Sequence, residues 1–347
     1  MPTLLLDKTK CLRNIQNMSR KAAGFQLSFR PHFKTHQSAE IGDWYRDFGV
    51  SKITVASFRM ASYFALAGWK DILVAFPFNP HDLDRLNKLA GSVRISVLLD
   101  NPDSLPFLDQ LHHPIEFYID IDTGYGRTGI PGDQYEKIEH LIRDTQKNSK
   151  LHFRGFYCHA GHSYKAESSE EKEKIHLKAV SDLASLKKQF AQFSPLALYG
   201  DTPGCSIQED FSGIDEITPG NFVFYDLMQY TFGSCSLDDI AVAMACPVVG
   251  KYPDQKRVVI HGGAVHFSKE SVRISGQELF GKGIPPQEFF LTSISQEHGI
   301  IENAGAWYDR VQIGDTIHLL PVHSCLTANL MKEYKTLEGN IISTINS

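Results

Sequence analysis

Taken two residues at a time, the stretch Gln26–His36 separates into two sides, with Leu27, Phe29 and Phe33 on one and Ser28, Arg30, His32 and Lys34 on the other. That is the period of a strand with one apolar and one basic face. Strand-like apolar runs recur at residues 52–56, 71–76, 94–99, 115–121, 151–157, 195–199 and 214–218. With the first they make eight predicted strands. Amphipathic segments fill the intervals near residues 37–49, 58–68, 81–90, 102–111, 132–148 and 168–193, with a weaker one near 206–212. Strands separated this regularly by helices predict an α/β fold, a (β/α)₈ TIM barrel rather than an open sheet.

The pattern changes after about residue 235. Short runs such as Ile240–Met244, Lys256–Ile260 and Gly314–Leu320, punctuated by glycine turns, predict a second, mostly β domain. The boundaries expected are a barrel over residues 8–235 and a β-rich domain over 236–347. The apolar stretch at residues 3–6 makes 1–7 a candidate to join the second domain. Asp7 is placed to cap a helix with Leu12, Ile15, Met18 and Ala22 along one side.

Composition narrows the partners. At 347 residues and 42% hydrophobic content the chain can bury a substantial core. With 35 Lys+Arg against 40 Asp+Glu and no dense basic tract, nucleic acid is not an expected partner. No apolar run approaches membrane length and the opening residues lack the form of a signal peptide, so a cytoplasmic protein is expected. Six scattered cysteines without a CxxC fit reduced thiols.

In a barrel of this kind chemistry gathers in the loops after the strands. Lys34 closes the first strand; Asp120, Asp122 and Arg127 lie at or past the fifth; Tyr157, His159 and His162 end and follow the sixth. Gly200-Asp-Thr-Pro-Gly204 follows the seventh, and Pro219-Gly-Asn-Phe222 the eighth. Two consecutive glycine-bearing loops offer backbone N–H groups to a phosphate, and Thr202 adds a hydroxyl. Beside an interior lysine they point to a phosphorylated aldehyde, pyridoxal 5′-phosphate. Lysine forms an imine only as the neutral amine, and Arg30 or a protonated His32 would help release its proton. The plainer alternatives are a solvated basic edge strand for 28–34 and a simple turn pairing of Asp122 with Arg127. His323 and Cys325, two apart in what reads as an extended segment, can face one ion, and imidazole plus thiolate suits zinc. Gln296-Glu-His-Gly299 is a candidate for substrate contacts or a polar turn.

The run Arg30-Pro-His-Phe-Lys-Thr-His36 resembles the lysine motif of the fold type III pyridoxal-phosphate enzymes, in the branch of eukaryotic-type D-serine dehydratase and D-threonine aldolase, relatives of alanine racemase. Asp122–Gly129, Gly161-His-Ser-Tyr164, Pro219–Asp226 and Pro321–Cys325 fall in the expected order, and the resemblance spans nearly the whole chain. It implies an alanine racemase-like barrel in which Lys34 carries the cofactor, Thr202, Gly220 and Asn221 hold its phosphate, and Tyr157 and His159 lie beside its ring. His32 and Tyr164 join that set. By the same resemblance His323 and Cys325 form a zinc pair of the dehydratase kind. Two features depart from the pattern: Asp201 sets a carboxylate in the phosphate loop, and His261-Gly-Gly-Ala-Val-His266 replaces an acidic, alanine-rich stretch. The function implied is a lyase acting on a small D-β-hydroxy amino acid, D-serine dehydratase foremost, with Lys34 removing the Cα proton and Zn²⁺ assisting loss of the hydroxyl. The alternatives are a D-threonine aldolase with His159 or His162 as base, a racemase, and a non-catalytic cofactor-binding protein. A homodimer is expected by resemblance alone.

Overall fold

The computed structural model describes residues 1–166 and 168–347, and these divide into two compact bodies. The first comprises Asn17–Lys34 and Asp43–Gly220. The second comprises Met1–Gln16, Thr35–Gly42 and Asn221–Ser347.

In the second body the chain's opening strand β1 (Thr3–Leu6) is central to a sheet, as described below; apart from a two-residue strand at Ile130–Pro131 that pairs beside Ile121 and Asp122, the next eight strands build the first body. They are β2 (Ser28–Phe29), β3 (Ile53–Val55), β4 (Asp71–Pro77), β5 (Arg94–Leu99), β6 (Ile115–Asp122), β7 (Leu151–His159), β8 (Leu196–Gly200) and β9 (Glu216–Ile217). All pair in parallel, in the order β2-β9-β8-β7-β6-β5-β4-β3. A parallel bridge between His32 and Thr54 joins the two ends and closes the ring. The eight-stranded barrel expected from the pattern is therefore present. The intervening helices include α3 (Phe58–Leu66), α4 (Leu83–Ala90), α6 (Tyr135–Thr145), α7 (Ser169–Gln189) and α8 (Thr202–Ile207), following α1 (Lys8–Gly24), α2 (Ala39–Trp44) and, between α4 and α6, α5 (Leu105–Leu108).

The alternation read in the first strand is real, although regular pairing is short. Phe33 is fully buried on the outer side, with the rings of Tyr45, Phe64 and Trp69 at 5.0, 5.0 and 5.1 Å. Inside the barrel Leu73, Leu98, Tyr118, Tyr157 and Leu198, from five strands, form one packed cluster. Below it lies a ring of charge. Arg30, 3% exposed, donates to Glu216 and Asp71, each at 2.7 Å, and Lys52 reaches Glu216 at 2.6 Å. Arg94 pairs with Glu116 at 2.6 Å. Asp71, Arg94 and Glu216 each begin a strand, so the ring seals the amino end of the barrel. This corrects one expectation: Arg30 is neutralised by two carboxylates at the end opposite the loops and is not a free cation beside Lys34.

The second body is mostly β. Its long strand β10 (Val242–Tyr252) pairs with β1 on one edge and β15 (Thr316–Pro321) on the other, both antiparallel. Here β11 is Arg257–His261, β12 Gly281–Gly283, β13 Ser293–Ile294, β14 His298–Ile301 and β16 Glu333–Thr336. β1 also runs parallel to β16, and β15 pairs with β12. β11 pairs with the far half of β10 on one edge and with β14 on the other, and β14 pairs with β13. Short helices α9 (Leu227–Thr231), α10 (Ala264–Phe267) and α11 (Ser324–Met331) interrupt the strands. Leu227, Ile240, Ala243, Val272, Leu279, Leu320 and Val322 form its core. No helix among the described residues is long and apolar enough to cross a membrane.

Candidate active site

Each group is built where a strand ends. In the barrel body, Lys34 lies in the turn just past the bridge residue His32, and its side chain is exposed. Its backbone N–H donates to His32 Nδ1 at 3.3 Å, and His32 N–H donates to the Pro219 carbonyl at 2.9 Å. The lysine is thus carried on a turn anchored by buried Phe33 and half-enclosed by the loop after β9.

His159 ends β7. Its Nδ1–H donates to the Gly200 carbonyl at 2.7 Å, which fixes the tautomer and leaves Nε2 as an acceptor. Burial first, then the charges of Lys34 and Arg127, push its pKa down to about 3. A ring held neutral to that degree accepts a hydrogen bond and is a poor proton acceptor. Tyr125 stands between two histidines, its ring 6.0 Å from His159 and stacked 6.2 Å from His162. His162 Nδ1 is buried with no hydrogen-bond partner among the described residues. Gly161 belongs here for steric reasons, since a Cβ would come within 2.6 Å of the Tyr125 ring and 2.9 Å of His159 Nε2. Tyr157 is buried and hydrogen-bonded to Thr218, and burial raises its phenol well above the usual range.

Asp120 points into the barrel and accepts from Thr128 Oγ1 at 2.7 Å, and burial raises its carboxyl to about 6. Asp122 makes no ion pair with Arg127. It accepts from the backbone N–H groups of Gly124 at 2.9 Å and Gly126 at 3.1 Å, shaping the loop. After β8, Thr202 opens α8 and its N–H donates to Tyr164 Oη at 3.4 Å. Asp201 is the helix cap: it accepts from Gly204 N–H and, at 2.6 Å, from Tyr199 Oη. The carboxylate that seemed to stand in the phosphate loop is turned inward, 2% exposed, with its pKa raised to about 6 by burial against the pull of those bonds. Gly220 is buried at the end of the same body.

In the β body, Asp226 organises the second group. Its carboxylate accepts from Asn221 Nδ2 at 2.6 Å, Ser324 N–H at 3.0 Å, Ser324 Oγ at 3.2 Å and Gln229 N–H at 2.9 Å. Asn221 Nδ2 also lies 3.1 Å from Ser324 Oγ and 3.4 Å from Cys325 Sγ. The segment holding His323 and Cys325 is not the extended one expected. His323 caps α11 and Cys325 lies in its first turn, because Asp226 ties the Ser324 N–H. From these positions, two residues apart, each side chain still acts on the other's proton affinity. His323 Nδ1 meets Glu270 Oε2 at 2.6 Å, and Thr35, the residue after Lys34 in the chain, places Oγ1 3.3 Å from Cys325 Sγ. Burial opposes charge at both groups, yet Cys325 and Glu270 hold the imidazole up to about 11, and His323 holds the thiol below its usual value. A thiol whose ionisation is favoured, two residues from an imidazole whose Nδ1 is fixed by a carboxylate, supplies donors of the kind a metal site uses, so the residues fit a zinc-type ion.

Residues 6–225, well over half of the chain, match the family described as "Alanine racemase, N-terminal domain". The chain belongs to that family. Residues 241–337 match a second one, described as "Putative serine dehydratase domain". The D-serine dehydratase of Dictyostelium discoideum is 27% identical over 98% of this chain and 93% of its own length. The D-threo-3-hydroxyaspartate dehydratase of Delftia sp. is 26% identical over 98% of this chain and 94% of its own. A structure of that dehydratase superposes with a TM-score of 0.92, at 23% identity, over all of this chain and 98% of the other, and a cysteine variant of it is known in a metal-free form. The D-threonine aldolase of Arthrobacter sp. is 24% identical over 99% of this chain and 90% of its own length. As a member of the alanine racemase N-terminal family, this chain shares the pyridoxal-phosphate barrel architecture.

Several side chains in these groups carry no flag in the sequence. Tyr125 sits inside the quoted Asp122–Gly129 motif and was legible only as part of it. Asp226 and Thr35 fall likewise within the Pro219–Asp226 and Arg30–His36 motifs without a role of their own there, whereas Glu270, 53 residues from His323, lies in no motif and no spacing rule connects it.

Proposed function

We propose that the chain is a pyridoxal-phosphate-dependent lyase that removes water from a small D-β-hydroxy amino acid, D-serine foremost. The observation that carries this is the imidazole and thiol together at the start of α11, with His323 Nδ1 held by Glu270 at 2.6 Å and Cys325 Sγ 3.3 Å from Thr35 Oγ1, since a racemase or a mere carrier has no use for a metal donor set. Lys34 carries the cofactor, with Thr202, Gly220 and Asn221 at its phosphate, and His32, Tyr157, His159 and Tyr164 around it. Bound pyridoxal phosphate supplies an electron sink for charge developing at Cα, and a zinc-type ion held by His323 and Cys325 supplies a Lewis acid toward a hydroxyl.

The chain's own residues do the rest. With the cofactor bound, the Lys34 amine would take the Cα proton. His159, fixed as the Nδ1–H tautomer, presents Nε2 as an acceptor and keeps a charge out of the pocket. Glu270 orients His323 by accepting from its Nδ1. Retro-aldol cleavage is the rival, with His159 or His162 as its base; burial lowers the pKa of His162, which weakens it in that role.

The test is direct. Protein loaded with pyridoxal phosphate and zinc is given D-serine, D-threonine and D-alanine, and pyruvate, glycine and L-alanine are assayed. Pyruvate with ammonia from D-serine is expected. Glycine as the main product would move the assignment to an aldolase, and no turnover with cofactor bound would overturn it. The active species is taken to be a homodimer in the cytoplasm, a point for sedimentation and fractionation.

A further inference from the structure

The β body holds a second group of ligand-type side chains, sharing none with His323 and Cys325. His261 ends β11, His266 is the third residue of α10, and Glu297 lies in the turn between β13 and β14. One ligating atom from each lies within 4.8 Å of the others. His261 Nε2 is 3.5 Å from Glu297 Oε2, and the two imidazoles stand 5.4 Å apart at 85°.

The backbone builds this convergence. Gly262 N–H donates to the Glu297 carbonyl at 2.9 Å, Ala264 N–H to Ser295 at 2.8 Å, and Val265 N–H to Gln296 at 3.2 Å. The turn passes so close to Gly263 that a Cβ there would meet the Ser295 and Gln296 carbonyl oxygens at 2.5 Å. The double glycine between the histidines lets the hairpin close over the strand end, which a longer residue would forbid. Three side chains from three segments are thereby fixed before any ligand arrives.

We propose that His261, His266 and Glu297 form a divalent-cation site of zinc type. Two imidazoles and one carboxylate suit a borderline divalent ion, with water completing four-coordination. His266 Nδ1 accepts from Gly263 N–H at 3.3 Å, and ligation through either ring nitrogen gives up that one long bond. The competing account is a bare His261–Glu297 ion pair with a neighbouring imidazole.

Zinc alone is titrated calorimetrically into full-length protein loaded with pyridoxal phosphate and stripped with a chelator. Cys325→Ala is expected to retain one equivalent that Cys325→Ala/His261→Ala loses. Glu297→Gln, at an exposed turn where folding is not at stake, should weaken that equivalent at least tenfold. Cobalt in Cys325→Ala should give d–d bands without a thiolate charge-transfer band. If Cys325→Ala binds no zinc, or if Glu297→Gln in that background binds as tightly as before, the site does not exist. One equivalent in both wild type and Cys325→Ala keeps this site and removes the His323–Cys325 pair, so the two readings fail separately.

Discussion

At the level of single residues, the two groups make opposite demands on charge. The barrel body keeps His159 neutral by burial and by the cations Lys34 and Arg127, whereas the β body holds His323 and Cys325 toward the imidazolium–thiolate form. A metal ion competes with protons for these two donors, and a carboxylate on the far imidazole nitrogen steadies the ligating orientation, which is why Glu270 matters. Glu270→Gln should weaken zinc binding about 10- to 100-fold with little change in fold, read by competition with a chromogenic chelator; unchanged affinity would reduce Glu270 to a surface contact. Lys34→Ala tests the other group. Turnover should fall by about 10²- to 10⁴-fold or more, and borohydride-reduced wild type should gain the cofactor's mass while the variant does not. Retention of that mass in the variant would put the covalent link elsewhere.

At the level of elements, α8 shows how a local rule overrides a reading from composition. Asp201 caps the helix from within, and because burial raises its folded carboxyl to about 6, the native state keeps a proton that the unfolded chain, near 4, has released. Stability from this group is complete below about pH 4 and is lost as pH rises through 6; Asp120 acts in the same sense. Asp201→Asn keeps a capping oxygen but does not titrate. Its urea midpoint should vary less than wild type between pH 4 and 6.5, a difference of up to about 3 kcal/mol, and an unaltered profile would mean Asp201 is ionised throughout. The strands were legible because alternation survives burial on both faces: Ile115, Phe117, Ile119 and Ile121 mark β6 as plainly in sequence as in the fold. Lys34 was legible as a strand end although it lies beyond regular pairing, since the bridge at His32 preserves the alternation that far. The partner of His323 was not legible, because Glu270 lies 53 residues away and only the tertiary fold brings it near; those of Asp201, Tyr199 and Gly204, are local, and Asp-Thr-Pro-Gly is a capping signal that the phosphate-loop reading passed over.

At the level of the whole barrel, the two ends titrate in opposite directions. Asp120 and Asp201 in the loop end favour the protonated state, while the sealed amino end depends on ionised carboxylates. Burial would raise Glu216, but Arg30 and Lys52 hold it below the usual value, so its stabilisation is present above the ordinary glutamate pKa and is lost as pH falls through the lowered one. Arg30 is 3% exposed and reaches two acids, so removing one leaves a cation in the interior with half its compensation. Glu216→Leu should therefore cost about 3–5 kcal/mol. An apolar replacement of both partners removes the desolvation cost together with the attraction, so Arg30→Met/Glu216→Leu should recover most of that loss. Denaturant unfolding of the two variants decides between them. If the double variant is as unstable as the single one, the ring of charge contributes attraction beyond its own desolvation, and the amino end of this barrel is held by ion pairs rather than merely closed by them.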